Sequence, residues 1–341
     1  MVNYMKHEID LSKYSIRTDL AIESITEDIK DSGIKVSEKE VEDIHITTVM
    51  VSRKGSKIIG KKPGKYITIE FQDITDEENE KKVMQVFVKE LKKLIRLNSK
   101  EDHVLVIGLG NENSTPDALG PKTSNEVIVT NHLYEMGALD PTYQRVSIFN
   151  PSVMGKTGIE TSDLISKMIE LLNPSLVLVI DSLASTSINR VHKTIQMTDT
   201  GIHPGSGVGN KRKEISKDLF GIPVIAIGVP MVVDAVTIVS DTIHFLTQHY
   251  VYMKKNIDNP KYKLMTNVNY LKESNEITKE EKEKLLGLIG TLTEEETKAL
   301  IFDVLTPIGY NLMVTTKEVD FIVDELSLLL SKGINKLLHN R

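Results

Sequence analysis

The stretch that decides the fold is VLVIGLGNENSTPDALGPK, residues 104–122. It begins with four apolar residues, and a short apolar run of this kind is typical of a strand buried on both faces of a parallel sheet. Gly108 and Gly110 allow the backbone to turn sharply after that strand. Asp117 then precedes a helical pattern. Because open parallel sheets build their sites beyond the carboxyl ends of their strands, this stretch predicts a carboxylate at a functional edge.

Composition excludes several classes of protein. The 341 residues, 40% of them hydrophobic, are enough for one large core with or without an appendage. A net charge of -6 provides no basic field for binding nucleic acid. No apolar segment reaches the roughly 18 to 20 residues of a membrane span, and the first residues lack the apolar centre of a signal peptide, so we expect a cytoplasmic protein. Cysteine is absent, which excludes disulfides and a cysteine nucleophile.

Strand and helix patterns alternate through the middle of the chain. The predicted strands are Val104–Leu109, Val146–Phe149, Leu176–Ile180, Thr194–Met197 and Val224–Gly228. The predicted helices are Glu78–Leu97, Ala118–Met136, Glu160–Leu172 and Val232–Thr247. This alternation predicts a three-layer α/β fold of the phosphorylase/hydrolase-like kind, with a mostly parallel sheet.

We predict an α/β core over residues 20–253 that includes a flap, followed by a helical part. A small β-rich appendage or flap is predicted near residues 45–72, because two stretches rich in β-branched residues flank turn signals at Gly60 and at Pro63-Gly64. Residues 254–341 begin with a polar connection and continue with the helical patterns Leu285–Leu305 and Lys317–Leu338. We expect this helical part to pack on the core.

Asp181 is the second candidate carboxylate. It follows the strongly apolar strand Leu176–Ile180. Since the carboxyl ends of parallel strands lie at one edge, Asp117 and Asp181 are predicted to lie together. Mutual repulsion separates the pKa values of two neighbouring carboxyl groups, which suits them to general acid/base activation of water. The alternative is that Asp117 only caps a helix and Asp181 only anchors a loop.

A glycine-rich loop between Thr198 and Lys213 offers further candidates. Its segment Gly205-Ser206-Gly207 is predicted to bind substrate, since glycines let the main chain approach a peptide backbone closely. His203 is a candidate base, metal ligand or oxyanion donor, and Asp199 a candidate to orient it. A surface loop with a free imidazole is the alternative.

The sequence motifs of several well-defined binding and catalytic mechanisms are absent or incomplete in this chain. Asn113 stands where a dinucleotide fingerprint needs its third glycine, and neither a Gly-Lys-Ser/Thr phosphate loop nor a His-Glu-x-x-His helix occurs. Ser206 lacks the flanking pattern of a nucleophile elbow, which makes a serine triad a minor alternative.

The sequence resembles the germination proteases of endospore-forming bacteria over nearly its whole length. The matching stretches are IRTDLA (16–21), GLGN (108–111), TPDALGP (115–121), GIETSD (158–163), ID (180–181), TGIHPGSGVGNKRK (200–213), PVIAIGVP (223–230) and NLMVT (311–315). Residues 108–120 are also similar to a loop of the hydrogenase-maturation endopeptidases.

The resemblance implies an endopeptidase that begins the degradation of small acid-soluble spore proteins in the germinating spore. It places the family's two proposed catalytic aspartates on Asp117 and Asp181. It also implies a zymogen whose propeptide, residues 1–19, is removed by self-cleavage between Asp19 and Leu20, and a homotetramer located in the forespore and spore core. The stretch 182–186, SLAST, departs from the alanine-rich stretch ending in arginine found in Bacillus members.

The catalytic type remains open between two mechanisms. We expect the carboxylate pair to act without a cofactor, because a catalytic metal site normally has about three protein ligands, usually including histidine. The alternative is one divalent metal held by Asp117, Asp181 and His203. A protein that binds spore proteins without cutting them is the third interpretation, and neither nucleic acid nor a membrane is an expected partner.

Overall fold

The computed structural model describes residues 18–25, 33–204, 213–258, 277–305 and 312–339. Contacts divide these residues into two units. The larger unit combines the described residues up to Val233 with those from Thr315 onward, and the smaller unit takes in those between Asp234 and Val314. Among the described residues, no helix is both long and apolar enough to cross a membrane.

One mixed sheet organises the larger unit. Its described strands lie in the order β1-β2-β3-β7-β8-β6-β4-β5. Their bounds are β1 Ile34–Val41, β2 Ile44–Val51, β3 Gly64–Glu70, β4 Val104–Gly108, β5 Val146–Phe149, β6 Leu176–Ser185, β7 Thr194–Thr198 and β8 Val224–Asp234. The pairs β5–β4, β4–β6 and β6–β8 are parallel, which confirms the predicted mostly parallel core.

Both faces of the parallel strands are buried, which explains their uninterrupted apolar sequences. In β4, Val104 and Val106 belong to the core on one face, whereas Leu105 and Ile107 belong to the core on the other. A strand covered on two sides has no solvent-facing position for a polar residue. The result is the three-layer α/β architecture that the sequence predicts.

Helices cover the two faces. In the larger unit they are α1 Arg53–Ile59, α2 Glu77–Leu91, α3 Leu119–Asn125, α4 Asn131–Glu135, α5 Met154–Thr157, α6 Thr161–Leu172, α7 Lys217–Phe220 and α11 Val319–His339. The apolar sides of α2 and α11 pack on one face of the sheet. Helix α6 packs on the other through Ile165, Met168, Ile169 and Leu172.

The predicted β-rich region near residues 45–72 is antiparallel and continues the main sheet. Strand β3 pairs with β7, and β7 is itself antiparallel to β8. Strand β1 adds an edge that the sequence did not indicate, because its interior residues are exposed and show no apolar alternation.

Two predicted helices differ from the structure. The pattern Ala118–Met136 forms two short helices, α3 and α4, separated at residues 126–130. Residues 232–234 are predicted to begin a helix but complete β8 instead. Val232 and Val233 are β-branched, and strands favour β-branched residues.

The smaller unit is mainly helical in its described part. It contains α8 Ala235–Asn256, α9 Lys279–Leu286, α10 Glu294–Leu305 and a two-residue strand, Met313–Val314. Asp234 caps α8 by accepting a hydrogen bond from Val236 N at 2.7 Å. Helices α8 and α10 contact each other, with Val236 and Phe302 at the centre of a small apolar cluster.

Candidate active site

In the loop after β4, the Asp117 side chain is bound to the backbone of the same loop. Residues Thr115–Asp117 form a single 3₁₀ turn. Asn111 N donates to Asp117 Oδ2 at 2.9 Å and to the backbone oxygen of Asp117 at 3.1 Å. Gly110 adopts a φ of +113°, and a Cβ there would lie 2.0 Å from the Asp117 carbonyl oxygen. This loop, residues 109–118, is called the aspartate loop below, and its closure depends on glycine at position 110.

Helix α3 follows the aspartate loop and lies directly on the end of β4 and the middle of β6. A Cβ on Gly120 would lie 2.2 Å from the oxygen of Leu109 and 2.5 Å from the oxygen of Ile180. A Cβ on Gly108 would lie 2.5 Å from the oxygen of Gly120. The two glycines therefore allow a backbone-to-backbone approach that fixes the position of Asp117 over β4 and β6.

Asp181 lies on the neighbouring strand at the same edge. Leu109 N donates to Ile180 O at 2.8 Å, so the aspartate loop leaves the sheet immediately beside Asp181. The Asp181 side chain is buried, with 6% of the residue exposed, and its Oδ1 accepts a hydrogen bond from Ser182 N at 2.9 Å. The turn that carries Asp117 also contacts β6. The structure thus places both carboxylates next to the end of β4. Asp181 lies inside β6, which continues to Ser185 and does not end at Ile180 as the sequence predicts.

A row of residues extends from Asp181 across two more strands. Asp181 pairs with Gly228 on β8, and Gly228 pairs with Gln196 on β7. Two strand spacings separate the Cα atoms of Asp181 and Gln196 by about 10 Å. Their strand neighbours, including Ile180 and Met197, belong to the core on the opposite face. Asp181 and Gln196 therefore face the same side of the sheet.

The described N-terminal segment, residues 18–25, crosses this side and is called the arm segment. Asp19 N donates to Ala184 O at 3.2 Å, and Ala184 N donates to Asp19 Oδ2 at 2.9 Å. Gln196 Nε2 donates to Asp19 O at 3.0 Å, while Gln196 Oε1 accepts a hydrogen bond from Ala21 N at 2.6 Å. One side chain thus bonds the backbone on both sides of Leu20, including the carbonyl oxygen of the Asp19–Leu20 peptide bond, the predicted processing site.

Residues of the arm segment are also well buried. Leu20 and Ala21 are inaccessible to solvent, and Ala21 packs with Val49, Val51 and Tyr66 on the face opposite the main core. Lys61 Nζ donates to Thr18 O at 2.6 Å. Burial lowers the pKa of the Lys61 ammonium, and the charges of Asp19 and Glu23 oppose that shift. The arm segment is therefore an integral layer over the antiparallel half of the sheet.

Glu23 anchors the end of the arm segment in a polar pocket. Its Oε1 lies 2.5 Å from Ser185 Oγ and 3.3 Å from Arg190 Nη1. Its Oε2 accepts hydrogen bonds from Thr186 N and Thr186 Oγ1, both at 2.8 Å, and one from Thr18 Oγ1. Only 2% of the Glu23 side chain is exposed. Ser185, Thr186 and Arg190 are together called the glutamate pocket.

The other predicted site residues lie elsewhere. His203 Nε2 lies 3.4 Å from Glu214 Oε2, and half of its side chain is exposed. Asp199 does not orient it in this structure, because Asp199 Oδ1 accepts a hydrogen bond from Lys65 N at 2.8 Å. Strand β7 runs antiparallel to β8, so the loop that carries His203 starts from the edge opposite Asp181. Gly205, Ser206 and Gly207 lie outside the described residues.

The described part of the chain gathers no group of three or more histidine, aspartate or glutamate side chains that could hold a metal ion. The predicted alternative set of Asp117, Asp181 and His203 is therefore not assembled in this conformation.

Sequence reasoning missed the residues that hold the arm segment. Gln196 looks like any polar residue of a strand, and Arg190 lies in a short 3₁₀ turn, Ile188–Arg190. The only signal in the sequence was the departure of residues 182–186 from the Bacillus pattern, which falls on the end of β6 where Asp19 and Glu23 bind.

Comparisons with known proteins identify the family to which this chain belongs. Residues 14–341 match the model of the germination protease family. The germination protease of Bacillus cereus (strain B4264) is 47% identical over 356 aligned residues, which cover 99% of this chain and 97% of the relative. That of Geobacillus sp. (strain WCH70) is 45% identical, again over 99% of this chain and 97% of the relative. Among solved structures, a [NiFe] hydrogenase maturation protease, HycI from Thermococcus kodakarensis KOD1, covers 42% of this chain and 80% of its own, at 18% identity and a TM-score of 0.28.

Proposed function

Because this chain belongs to the germination protease family, we propose that it is the endopeptidase that begins degradation of small acid-soluble spore proteins during germination. The observation that carries the proposal is the position of the arm segment. Its Asp19–Leu20 peptide bond is bound to Ala184 and Gln196, at the sheet edge that presents Asp117 and Asp181. Ala184 lies three residues after Asp181 on β6, and the turn that carries Asp117 contacts the same strand. Carboxylates on the strand that binds a peptide bond suit its hydrolysis by activated water.

In the proposed mechanism, one carboxylate accepts a proton from water as the water oxygen attacks the carbonyl carbon of Asp19. The other carboxyl group donates a proton to the nitrogen of Leu20 as the carbon–nitrogen bond breaks. The products are a new C-terminus at Asp19 and a new N-terminus at Leu20. Two carboxyl groups in different environments suit these opposite roles, since Asp181 is buried and Asp117 is half-buried.

Gln196 supplies a hydrogen-bond donor to the carbonyl group of the bond that is cut. Its Nε2 donates to the oxygen of Asp19, the atom on which negative charge develops during attack. A fixed donor at that atom stabilises the developing charge. Gln196 therefore stabilises the oxyanion that forms at Asp19 when the bond is cut.

We extend the proposal to activation and assembly. Cleavage between Asp19 and Leu20 releases residues 1–19 as a propeptide, and the arm segment acts as a tethered substrate until then. The carboxylate pair acts without a resident metal, in a homotetramer located in the spore core. Full activity of metal-free protein supports the carboxylate mechanism, whereas activity that depends on added divalent metal contradicts it.

Replacing Asp117 or Asp181 by Asn in the full chain tests the proposal. Each change removes a proton-transfer group while keeping size and shape, so we expect self-cleavage at Asp19–Leu20 to slow by about 10²- to 10⁴-fold. Mass spectrometry of the chain over time gives the rate, and thermal unfolding checks the fold.

The matched control is Asp163→Asn on α6, where an exposed carboxylate pairs with Lys213 at 2.8 Å. This variant should process at the normal rate. Normal processing by either active-site variant contradicts the aspartate mechanism. A wild-type chain that binds spore-protein peptides but leaves them whole identifies a binding protein instead.

A further inference from the structure

The first turn of α6 carries two buried polar side chains. The face of α6 that packs on the sheet is apolar from Ile165 to Leu172. Thr161 and Ser162 lie four and three residues before Ile165, so they continue that face, where they are only 3% and 2% exposed. A hydroxyl at such a position costs free energy unless it finds a hydrogen-bond partner.

Two atoms at the start of α6 have no hydrogen-bond partner among the residues that the structure describes. They are Ser162 Oγ and Glu160 Oε1, both of them shielded from solvent. Thr161 Oγ1, in contrast, lies 3.4 Å from the oxygen of Ser152, to which it donates. No side chain caps α6. The start of this helix therefore presents a hydroxyl, a carboxylate oxygen and main-chain N–H groups to a ligand from outside the protein.

The packing of α6 on β6 brings this turn to the height of Asp181. At the other end of α6, His103 Nδ1 lies 3.2 Å from Leu172 O, and His103 O accepts a hydrogen bond from Leu176 N at 3.3 Å. From that common point, α6 extends back by about 15 Å to Ser162, and β6 extends by about 17 Å to Asp181. The two residues therefore lie at about the same distance from the start of β6.

Both side chains also lie on the same side of the sheet. Val177 and Val179 of β6 belong to one apolar core with Ile165 of α6. Asp181 continues the alternation of these two valines, and Ser162 lies one turn before Ile165 on the same face of the helix. The Ser162 hydroxyl and the Asp181 carboxylate therefore face one buried space at the end of this core.

We propose that Ser162 binds the water molecule that Asp181 activates for attack on the peptide bond. This inference rests on the proposed function, because it adds a water-binding residue to the aspartate mechanism and gives Asp181 the role of the base. Ser162 Oγ accepts one proton of the water in a hydrogen bond, and Asp181 removes the other. A lone pair of the water oxygen is then free to attack the carbonyl carbon of Asp19, while Asp117 donates a proton to the leaving nitrogen.

The polar groups at the start of α6 suit water better than an ion. Main-chain N–H groups at a helix N-terminus carry partial positive charge, which disfavours a cation. The Glu160 carboxylate disfavours an anion, and Lys213, whose charge interacts with Glu160, pairs with Asp163 at 2.8 Å. Water both donates and accepts hydrogen bonds, and a buried water typically makes about three of them to groups that otherwise lack partners.

Two substitutions of equal size test the role of the hydroxyl. Ser162→Thr keeps the hydroxyl, whereas Ser162→Val replaces it by a methyl group, so crowding by the larger side chain is the same in both variants. In the full chain, Ser162→Val should self-cleave at Asp19–Leu20 about 10- to 100-fold more slowly than Ser162→Thr, because a misplaced water attacks poorly. Mass spectrometry over time measures both rates, and equal rates overturn the water site.

The split between kcat and KM separates water binding from peptide binding. The substrate is a synthetic peptide with the sequence of residues 13–27. Relative to Ser162→Thr, Ser162→Val should lower kcat by about 10- to 100-fold and leave KM within about two-fold. Ser166→Ala, which removes a half-buried hydroxyl further along α6, is the control and should keep the wild-type kcat. A change confined to KM contradicts the proposal.

Ser162→Ala distinguishes a water-binding hydroxyl from a structural one. Because Ser162 Oγ has no hydrogen-bond partner among the described residues, its removal should leave Tm at or above the wild-type value. A Tm lower by more than about 3 °C shows that the hydroxyl makes a structural bond and contradicts the proposal.

Failure of the protease itself is distinguishable, because a bound water can be located without catalysis. Crystals of the full chain carrying Asp117→Asn should show an ordered water within about 3.2 Å of both Ser162 Oγ and an Asp181 oxygen. Addition of Ser162→Ala should remove that water. If wild-type protein cuts no peptide but the water is present, the proposed function fails and the water site stands. If the protease is active but the water is absent from the Asp117→Asn crystals, the water site is overturned.

Discussion

The aspartate loop and the arm segment meet the same strand, β6, but different forces hold them. The loop is fixed by backbone contacts between near neighbours, through Gly108, Gly110 and Gly120. The arm segment is fixed by side chains 160 or more residues away in sequence, through Gln196 and the glutamate pocket. We therefore expect the aspartate loop to keep its position more firmly than the arm segment.

Under the proposed function, this difference would let one sheet carry both the catalytic aspartates and the segment that blocks them. The contacts given for the aspartate loop involve no residue of the arm segment, so we expect its geometry to persist when the arm segment leaves. The arm segment depends on a buried carboxylate and on one amide side chain. Loss of either partner leaves buried polar groups unsatisfied, which favours release.

Gly120→Ala should give the largest effect on the aspartate loop. The new methyl group would lie 2.2 Å from Leu109 O, and backbone oxygens cannot move aside cheaply. We expect about 1–3 kcal/mol or more of destabilisation from overpacking, together with loss of self-processing as α3 and Asp117 shift. Denaturant unfolding and mass spectrometry measure the two effects.

The matched control for that substitution is Gly155→Ala in α5. A Cβ at position 155 meets nothing within 4 Å, and helix propensity favours alanine there by up to about 1 kcal/mol. Equal stability losses in the two variants would show that the close approach of α3 to the strands is not what fixes the loop.

Gln196→Met should loosen the arm segment while sparing the aspartate loop. The change keeps the side-chain length but removes the donor to Asp19 O and the acceptor for Ala21 N. A buried N–H without an acceptor costs about 1–3 kcal/mol. The Ala21 amide should therefore exchange hydrogen about 10- to 100-fold faster.

Amides of β4 in the same sample serve as the internal control and should keep their protection. Faster exchange at both sites would mean that Gln196 supports the whole sheet. Unchanged exchange at Ala21 would mean that packing against Val49, Val51 and Tyr66 alone holds the arm segment.

The same contrast governs what the sequence could predict. The β4, β6 and β8 strands are buried on both faces, so their apolar runs identify them, and parallel topology then places Asp117 and Asp181 at one edge. Strand β1 escapes detection because its interior residues are exposed and its partner, β2, supplies the buried side chains. Strand β1 forms because it pairs with β2, although its own sequence shows no strand pattern.

The binding site of the arm segment could not be predicted from pattern at all. The contact between Ala21 and Gln196 joins residues 175 positions apart, and neither residue has a local signature. The sequence marks Asp19 and Leu20 through the family resemblance alone. Which strand receives them depends on the strand order of the folded sheet, which places β7 beside β8 and β6.

The smallest predicted effect concerns the titration of His103. It distinguishes a loss of sheet stability at low pH from release of the arm segment at low pH. His103, at the start of β4, is buried, with Nε2 2.9 Å from Ser147 Oγ and Nδ1 3.2 Å from Leu172 O. Burial, reinforced by the charge of Arg145, lowers the pKa of His103 below 6.5, against the opposing effects of Leu172 O and Glu135. The folded state therefore favours the neutral imidazole more than the unfolded state does. Its contribution to stability is complete above pH 6.5 and declines as the pH falls below that value.

His103→Gln removes this titration, so the fall in Tm between pH 7 and pH 5.5 should become shallower. His132→Gln, which changes an exposed histidine on α4, should retain the wild-type slope. Hydrogen exchange at Ala21 is then measured in the His103→Gln protein over the same pH range. In this variant the exchange rate reports release of the arm segment without the contribution of His103 to sheet stability. If the His103→Gln protein loses Tm as steeply as the wild type, the acid sensitivity of the sheet arises from other groups. The buried His192, whose pKa is also lowered by burial, is then the next residue to replace.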